Sequence, residues 1–334
     1  MMRMTVLASG SKGNSTVISS SRTRILVDAG LSCRELVKRM LHAGEDPRAL
    51  DAILITHEHQ DHVAGLGVLA RKLGIPVYFT EPTHRAWVRM LTPRKTMSYA
   101  QWLEHVQKEK EARASATAAA FAQPEPGICD SMSAAVESPA RESNASEPDD
   151  VEPAQTAQKE SVKADPTYLP SVEYFHSGRQ FSIGDIEVTP FTIPHDAADP
   201  CGFVFAAEGV RMALATDLGY MPPNVKAALK RIDVLLLESN HDLEMLKDGP
   251  YPWSVKQRVL SRVGHLSNLA TAEFLERDYD GMASYIVLGH LSESNNAPEL
   301  ARLCAEQALV NHPTLLGNRI VLAEQTAPLA PICL

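Results

Sequence analysis

No apolar run in the 334-residue chain approaches the roughly 18 residues that a membrane-spanning helix needs. Cysteine is scarce: Cys33, Cys129, Cys201, Cys304 and Cys333 are odd in number, far apart and never form a CxxC pair. That pattern excludes a disulfide framework and a zinc ribbon, and fits reduced thiols. Cys201 reads as a small packed thiol although His195 is near it in sequence. The start, Met1 to Leu7, lacks the longer apolar region and small-residue cleavage site of a signal peptide, so the chain is expected in the cytoplasm, with no membrane partner. No internal repeat is visible. Aromatics are only 6% of the chain, yet total apolar content is 44%, so an aliphatic core of ordinary size is available.

The net charge of −9 would argue against a polyanionic partner if it were spread evenly. It is not: eleven acidic and four basic residues lie between Glu111 and Pro170, so −7 of the charge resides there and the rest of the chain is nearly neutral. The same stretch is rich in Ala, Ser, Pro and Glu and has no sustained apolar periodicity. It reads as a disordered acidic insertion, 111–170, because such a composition cannot bury enough apolar surface to offset the entropy of ordering it. The folded domain is then split, with 1–110 as its first half and 171–334 as its second.

The first half reads as a hairpin (Met4–Leu7 and Ser15–Ile18), a strand over Thr23–Asp28, a helix over about Ser32–Ala43 and a strand over Ala52–Ile55 followed by a helix. A strand over Val77–Phe79, a helix opened by Pro82 and a helix over about Tyr99–Lys110 complete it. In the second half, Gly184-Asp185 and Glu208-Gly209 are hairpin turns between apolar strands. A strand over Val234–Leu237, helices near Trp253–Arg262 and Ser267–Glu276, a strand over Ser284–Leu288 and a helix over about Pro298–Ala308 follow. Two strand-rich halves with helices outside predict an α/β fold of two packed sheets.

Directly after Ala52-Ile53-Leu54-Ile55 comes Thr56-His57-Glu58-His59-Gln60-Asp61-His62. Three imidazoles and an aspartate from one strand end are the donors a divalent cation needs, at about 2.0–2.2 Å. His57 and His59 point the same way from a loop, while Asp61 and His62 open the next helix and face the hollow from its other side. Three further segments each end a strand with a ligand-type residue: Ile193-Pro194-His195, Ala215-Thr216-Asp217 and Leu288-Gly289-His290. Each is weak alone, but HxHxDH supplies too few donors to close two coordination spheres, and the three strand-end residues make up the deficit. Asp28, ending Ile25-Leu26-Val27, has two open readings, an acceptor that orients a ligand or a turn residue before Ala29-Gly30.

THEHQDH, PHDAADPCGF, TDLG and LGHLSESNN resemble motifs of the metallo-beta-lactamase fold, a four-layer αββα sandwich, across nearly everything outside Glu111–Pro170. Within that fold, SGSKGNS, THEHQDHVAG, IPHDAADPCGF, ESNHD and GHLSN resemble the YycJ/WalJ-like group. The resemblance implies metal-dependent 5′ exonuclease action on DNA. It also implies two divalent ions, Zn2+ or Mn2+, with His57, His59 and His195 on the first, Asp61, His62 and His290 on the second, and Asp217 bridging. Asp61 and Asp217 are thereby catalytic as well as ligating. GHLSN followed by LGHLS is similar to paired histidine segments of tRNA 3′-processing nucleases, which makes His265 the candidate proton donor to the departing sugar oxygen. Ser11 and Asn14 in the SGSKGNS turn, His241 in ESNHD, and Ser292, Asn295 and Asn296 after His290 are candidate substrate contacts, each with an ordinary turn, capping or loop role as its rival.

The expected activity is hydrolysis of a phosphodiester by a dinuclear metal centre, with DNA as the expected nucleic acid partner. RNA processing, a small phosphodiester and thioester hydrolysis are alternatives that the same core supports. A non-enzymatic alternative is a regulatory protein with structural metals and the acidic insertion as its binding arm. Residue order gives no oligomeric state.

Overall fold

Alternation of apolar side chains sets the layering. In the strand Cys201–Ala207, Cys201, Phe203 and Phe205 enter one apolar cluster while Val204 enters another on the opposite face. The strands Val210–Ala215 and Val234–Glu238 do the same, with Met212, Leu214, Val234 and Leu236 on one side and Ala213, Ala215, Leu235 and Leu237 on the other. This is the period-2 signature of strands buried on both faces.

The computed structural model describes residues 1–92, 103, 107, 165–310 and 317–334. Its strands are β1 (Arg3–Ala8), β2 (Ser15–Ser19), β3 (Arg24–Val27), β4 (Ala52–Leu54), β5 (Val77–Phe79), β6 (Val172–Tyr174), β7 (Phe181–Ile183), β8 (Ile186–Thr192), β9 (Cys201–Ala207), β10 (Val210–Ala215), β11 (Val234–Glu238), β12 (Tyr285–Gly289), β13 (Arg319–Leu322) and β14 (Ile332–Cys333). They form two seven-stranded sheets, ordered β14-β1-β2-β3-β4-β5-β6 and β13-β12-β11-β10-β9-β8-β7. Each sheet has an antiparallel part continued by parallel strands: β3, β4, β5 and β6 in the first, and β10, β11, β12 and β13 in the second.

The helices are α1 (Cys33–His42), α2 (Gln60–Val63), α3 (Leu66–Leu73), α4 (Glu81–Leu91), α5 (Pro223–Ala228), α6 (Leu243–Asp248), α7 (Trp253–Val259), α8 (Asn268–Arg277) and α9 (Pro298–Leu309). α1 starts where the Ser32 hydroxyl accepts from Glu35 N and buries Leu36 and Met40, four residues apart on one face. α3 buries Leu66, Leu69 and Ala70 and stops at Gly74, whose φ of 68° suits a glycine cap. The buried apolar residues accordingly form three clusters, one between the sheets and one under the helices on each side. The architecture is the expected α/β sandwich of four layers. Truncating Phe203 or Phe205, both fully buried between the sheets, would cost about 3–5 kcal/mol.

The strands legible in the sequence are present with ends shifted by up to three residues, the largest shift being β8, expected to end at Thr189 and ending at Thr192. β6, β13, β14 and the short helices α5 and α6 were not anticipated. The segment read as a disordered insertion lies outside the described residues up to 164, as does the helix expected over Tyr99–Lys110 apart from helical Leu103 and Gln107. Asp165 to Pro170 belong to the folded body: Leu169 is buried under the first sheet, and Arg71 Nη1 donates to the Tyr168 carbonyl at 2.9 Å.

Candidate metal centre

Side chains that leave the ends of β3, β4, β8, β10, β11 and β12 meet at one edge of the paired sheets. Three of them, Asp28, Asp217 and His290, have φ of 59°, 64° and 56°, left-handed values that cost a residue with a Cβ on the order of 1 kcal/mol or more. Strain repeated at three adjoining strand ends marks a place where the fold is bent to aim side chains. Gly30 serves the same purpose, since a Cβ there would lie 1.7 Å from the Asp61 carbonyl oxygen. Its absence lets the Asp28–Gly30 loop press against the Asp61 turn.

Five histidines each anchor one ring nitrogen on the protein and turn the other inward. His62 Nδ1 donates to Asp28 Oδ2 at 2.8 Å, and His290 Nδ1 donates to Glu238 Oε1 at 2.8 Å. His195 Nδ1 donates to the Gly264 carbonyl at 3.2 Å and His59 Nε2 to the Asp196 carbonyl at 3.2 Å, while His57 Nδ1 lies 3.0 Å from Thr56 Oγ1. An anchored N–H fixes the tautomer and leaves the opposite nitrogen with its lone pair free. Inside, His195 Nε2 is 3.2 Å from His59 Nδ1, and His62 Nε2 is 3.4 Å from Asp217 Oδ2 and 3.5 Å from Asp61 Oδ2. His290 Nε2 is 3.6 Å from Asp61 Oδ2.

These donors fall into overlapping groups whose ligand atoms lie within 4.8 Å of one another: His57, His59 and His195; Asp61, His62 and His290; and His57, His62 and Asp217. All seven residues named from the sequence are therefore brought together. His57 Nε2, Asp217 Oδ2 and His290 Nε2 are buried with no hydrogen-bond partner, an expensive arrangement unless a cation takes the lone pairs. Burial first, then the nearby imidazoles of His62, His195 and His59, push His57 well below the ordinary histidine range, which keeps its ring neutral. Burial opposes charge on His62 and His290 as well, but Asp217 with Asp61 and Asp28, and Asp217 with Asp61 and Glu238, hold them well above it. Four carboxylates, those of Asp28, Asp61, Asp217 and Glu238, thus converge on the cluster, and their demand for positive charge is met by protons on His62 and His290 or by divalent cations that displace those protons and take the inward lone pairs. The residues fit divalent metal.

Glu238 is the functional residue that sequence reasoning missed. It is fully buried, its Oε1 accepts from His265 Nδ1 and His290 Nδ1 at 2.8 Å each, and its Oε2 accepts from Leu218 N at 2.7 Å and Leu266 N at 3.1 Å. With both oxygens spent it is a hub that orients rings. The signal was available, because Glu238 ends the apolar run Val234–Leu237 as His290 ends its own. Asp28 takes its orienting role, accepting from Thr56 N at 2.9 Å, Thr56 Oγ1 at 2.8 Å and His62. Glu58, inside the first motif, accepts from Ala198 N at 2.9 Å and so steadies the His195 loop.

The candidate substrate contacts divide. Asn14 Nδ2 donates to Asp61 Oδ2 at 3.2 Å and lies 3.0 Å from His62 Nε2, so it supports the ligands. Ser11 is exposed at the tip of the same turn, whose Lys12 is paired with Glu293 at 2.6 Å. Ser292 is buried and its Oγ accepts from Asn295 N at 3.2 Å, a turn-closing bond, and Asn296 Nδ2 donates to the Ser239 and Asn240 carbonyls. His241 and Asn295 are buried with both ring nitrogens and Oδ1 unpartnered, and burial pushes His241 down to about 4. His265 is partly exposed beside the cluster, its Nδ1 3.7 Å from Asp217 Oδ1.

Two mixed sheets that aim histidines and carboxylates from their strand ends into one cluster define a metallohydrolase-type centre, and the chain belongs to the metallo-beta-lactamase superfamily, whose sequence profile matches residues 8–255. It is 32% identical over 301 residues to the exodeoxyribonuclease WalJ of Streptococcus pneumoniae, covering 90% of this chain and 86% of that one. It is also 32% identical over 308 residues to the exodeoxyribonuclease YycJ of Bacillus anthracis, covering 92% of this chain and 89% of that one. Among solved structures it resembles the metallo-beta-lactamase fold protein YhfI of Bacillus subtilis, with a TM-score of 0.57 and 12% identity over 98% of this chain and 99% of that one, a likeness of fold. Among the described residues no helix is long and apolar enough to cross a membrane.

Proposed function

We propose that the protein is a dinuclear metal-dependent phosphodiester hydrolase that degrades DNA from the 5′ end. The observation that carries this reading is the pair of donor groups, His57 with His59 and His195, and Asp61 with His62 and His290, adjoining a common Asp217. That the WalJ and YycJ relatives are exodeoxyribonucleases supports DNA as substrate. Histidine-rich donors suit zinc, and the carboxylates also suit manganese.

When bound, two such cations supply a nucleophile from water at neutral pH and offset charge on the phosphate during in-line attack. The chain's own residues do the rest. Asp28, Glu238 and the Gly264 carbonyl fix the rings of His62, His290 and His195, so the donors are set before substrate arrives. His265 gives a proton to the departing sugar oxygen, which is a poor leaving group without one. Its Nδ1–H is held by Glu238, leaving Nε2 as the nitrogen that carries the transferred proton.

The test is incubation of purified protein with 5′-phosphorylated and 5′-hydroxyl duplex DNA, single-stranded DNA and RNA, with zinc and manganese supplied separately, before and after chelation. Loss of nucleotides from the 5′ end of DNA that stops on chelation is expected. Cleavage that survives complete removal of metal would overturn the reading, and a preference for RNA would reassign the substrate.

A further inference from the structure

Helix α7 buries none of its side chains, although every other fully described helix of six or more residues buries at least one. Trp253 is 66% exposed, and beyond the helix end Leu260 and Val263 are 51% and 43% exposed. An amphipathic helix is normally held by its apolar face. Here the attachment is at the far end: His265 N donates to the Val259 carbonyl at 3.0 Å, and Asp196 N to the Val263 carbonyl at 3.1 Å. Gly264 packs so closely that a Cβ would lie 2.2 Å from Val259 O, and one at Gly219 would lie 2.2 Å from Arg262 C. The segment is thus fixed to the two loops that carry His195 and His265, with its apolar side chains left exposed.

Its charge runs against that of the protein. Between Tyr251 and His265 there are three basic residues, Lys256, Arg258 and Arg262, and no acidic one, in a chain of net charge −9. Arg258 is engaged by Asp196 at 2.5 Å. Lys256 donates to the Lys247 carbonyl at 2.6 Å, and the Arg262 guanidinium lies 4.2 Å from the Tyr220 ring centroid. Among the described residues, neither Lys256 nor Arg262 is paired with a carboxylate. An exposed indole and two uncompensated cations, one stacked on a tyrosine, are the parts that hold a single nucleic-acid strand: rings for bases and cations for phosphates.

We infer that α7 and the turn to Gly264 form the surface that binds a single-stranded stretch of the nucleic-acid substrate beside the metal centre, with Trp253 stacking on a base and Lys256 and Arg262 meeting phosphates. This rests on the phosphodiesterase reading and adds the place where the strand beyond the reacting phosphate is held. Hydrophobic association with a second copy is the competing occupant. The unpaired cations weigh against it, because like charges would meet across a two-fold contact.

The experiment measures, by anisotropy on the metal-loaded protein, binding of a fluorescein-labelled oligodeoxythymidine whose phosphorothioate linkages resist cleavage, for the wild type, Trp253→Ala, Lys256→Ala with Arg262→Ala, and Lys38→Ala on the outer helix α1 as control. Melting midpoints establish that each variant is folded, which the exposure of Trp253 and Arg262 favours. Trp253→Ala is expected to weaken binding about 10-fold or more. The double variant should also lower the slope of log K against log salt by about 1.4, two phosphate contacts at about 0.7 each. Lys38→Ala should bind as the wild type does. Wild-type affinity and salt slope in both α7 variants would overturn the surface assignment and leave the phosphodiesterase reading standing. A change of molecular mass in Trp253→Ala with affinity intact would assign the face to a second copy. A wild type that binds no oligonucleotide at low salt would overturn the nucleic-acid reading itself.

Discussion

Glu238 Oε1 lies 2.8 Å from Nδ1 of His265, and the same oxygen lies 2.8 Å from Nδ1 of the metal-facing His290. One buried carboxylate therefore orients a ring aimed at the cation site and a ring aimed at the proposed leaving group. Burial would raise that carboxyl, but the charges and hydrogen bonds of His265 and His290 draw it below the ordinary carboxylate range, so it stays an anion. In the proposed reaction, proton donation by His265 and metal binding by His290 would be coupled through it.

His265→Ala should reduce DNA cleavage about 10²–10⁴-fold, the usual contribution of a general acid. Cleavage of bis(p-nitrophenyl) phosphate, whose leaving group needs no proton, should fall far less. Metal content by elemental analysis should be unchanged, because five other histidines face the cluster. Equal losses on both substrates would remove His265 from the acid role. A thioester hydrolase, with its better leaving group, would scarcely register the change.

Asp28→Asn should weaken metal binding about 10–100-fold, the usual effect of losing a group that orients a ligand. Asparagine is the informative replacement because it tolerates the left-handed φ of 59° and fills the same space, so the charge that grips His62 Nδ1 is what is lost. Competition with a chromogenic chelator measures it. An unchanged affinity would mean that Thr56 and packing alone hold His62 in place.

Much of this centre was legible because coordination chemistry writes itself in residue types: HxHxDH is rare and follows an apolar strand, and His195, Asp217 and His290 each end one. What was not legible depends on contacts between distant segments. Glu238 acts through Leu218, His265, Leu266 and His290, none adjacent to it in sequence. β14 has two residues and is a strand only because β1 pairs with it. Asn14 and Ser292 carry side chains that equally suit substrate or a turn, and only their partners separate the two. Helix α7 was visible by its periodicity, but its failure to bury anything is a property of the folded surface.

Removing the metal should lower the melting temperature. A cation at about 1,000 times its dissociation constant contributes about 4 kcal/mol, and a body of this size shifts by about 2–4 °C per kcal/mol. A drop of about 8–16 °C on dialysis against chelator is expected, recovered by zinc or manganese. Scanning calorimetry in both states checks it, and coincident transitions would mean that the donor cluster does not load under those conditions.

Asp185, in the β7–β8 turn of the second sheet, accepts from Ser20 Oγ at 2.7 Å and Thr23 Oγ1 at 2.6 Å in the β2–β3 turn of the first, a latch between the sheets. The Thr23 and Ser20 hydroxyls hold its carboxyl down at about 2, below the roughly 3.9 of an unfolded chain. A depressed folded value means that the latch contributes fully above about pH 4 and is lost as pH falls through about 2. Asp185→Asn lacks the charge at every pH. Its melting temperature should therefore lie below the wild type's by a constant margin from neutral pH down to about 4, and the two curves should converge between about 4 and 2. A margin that persists at pH 2 would show that the latch acts through shape and hydrogen-bond count, with no share from the ionised carboxylate.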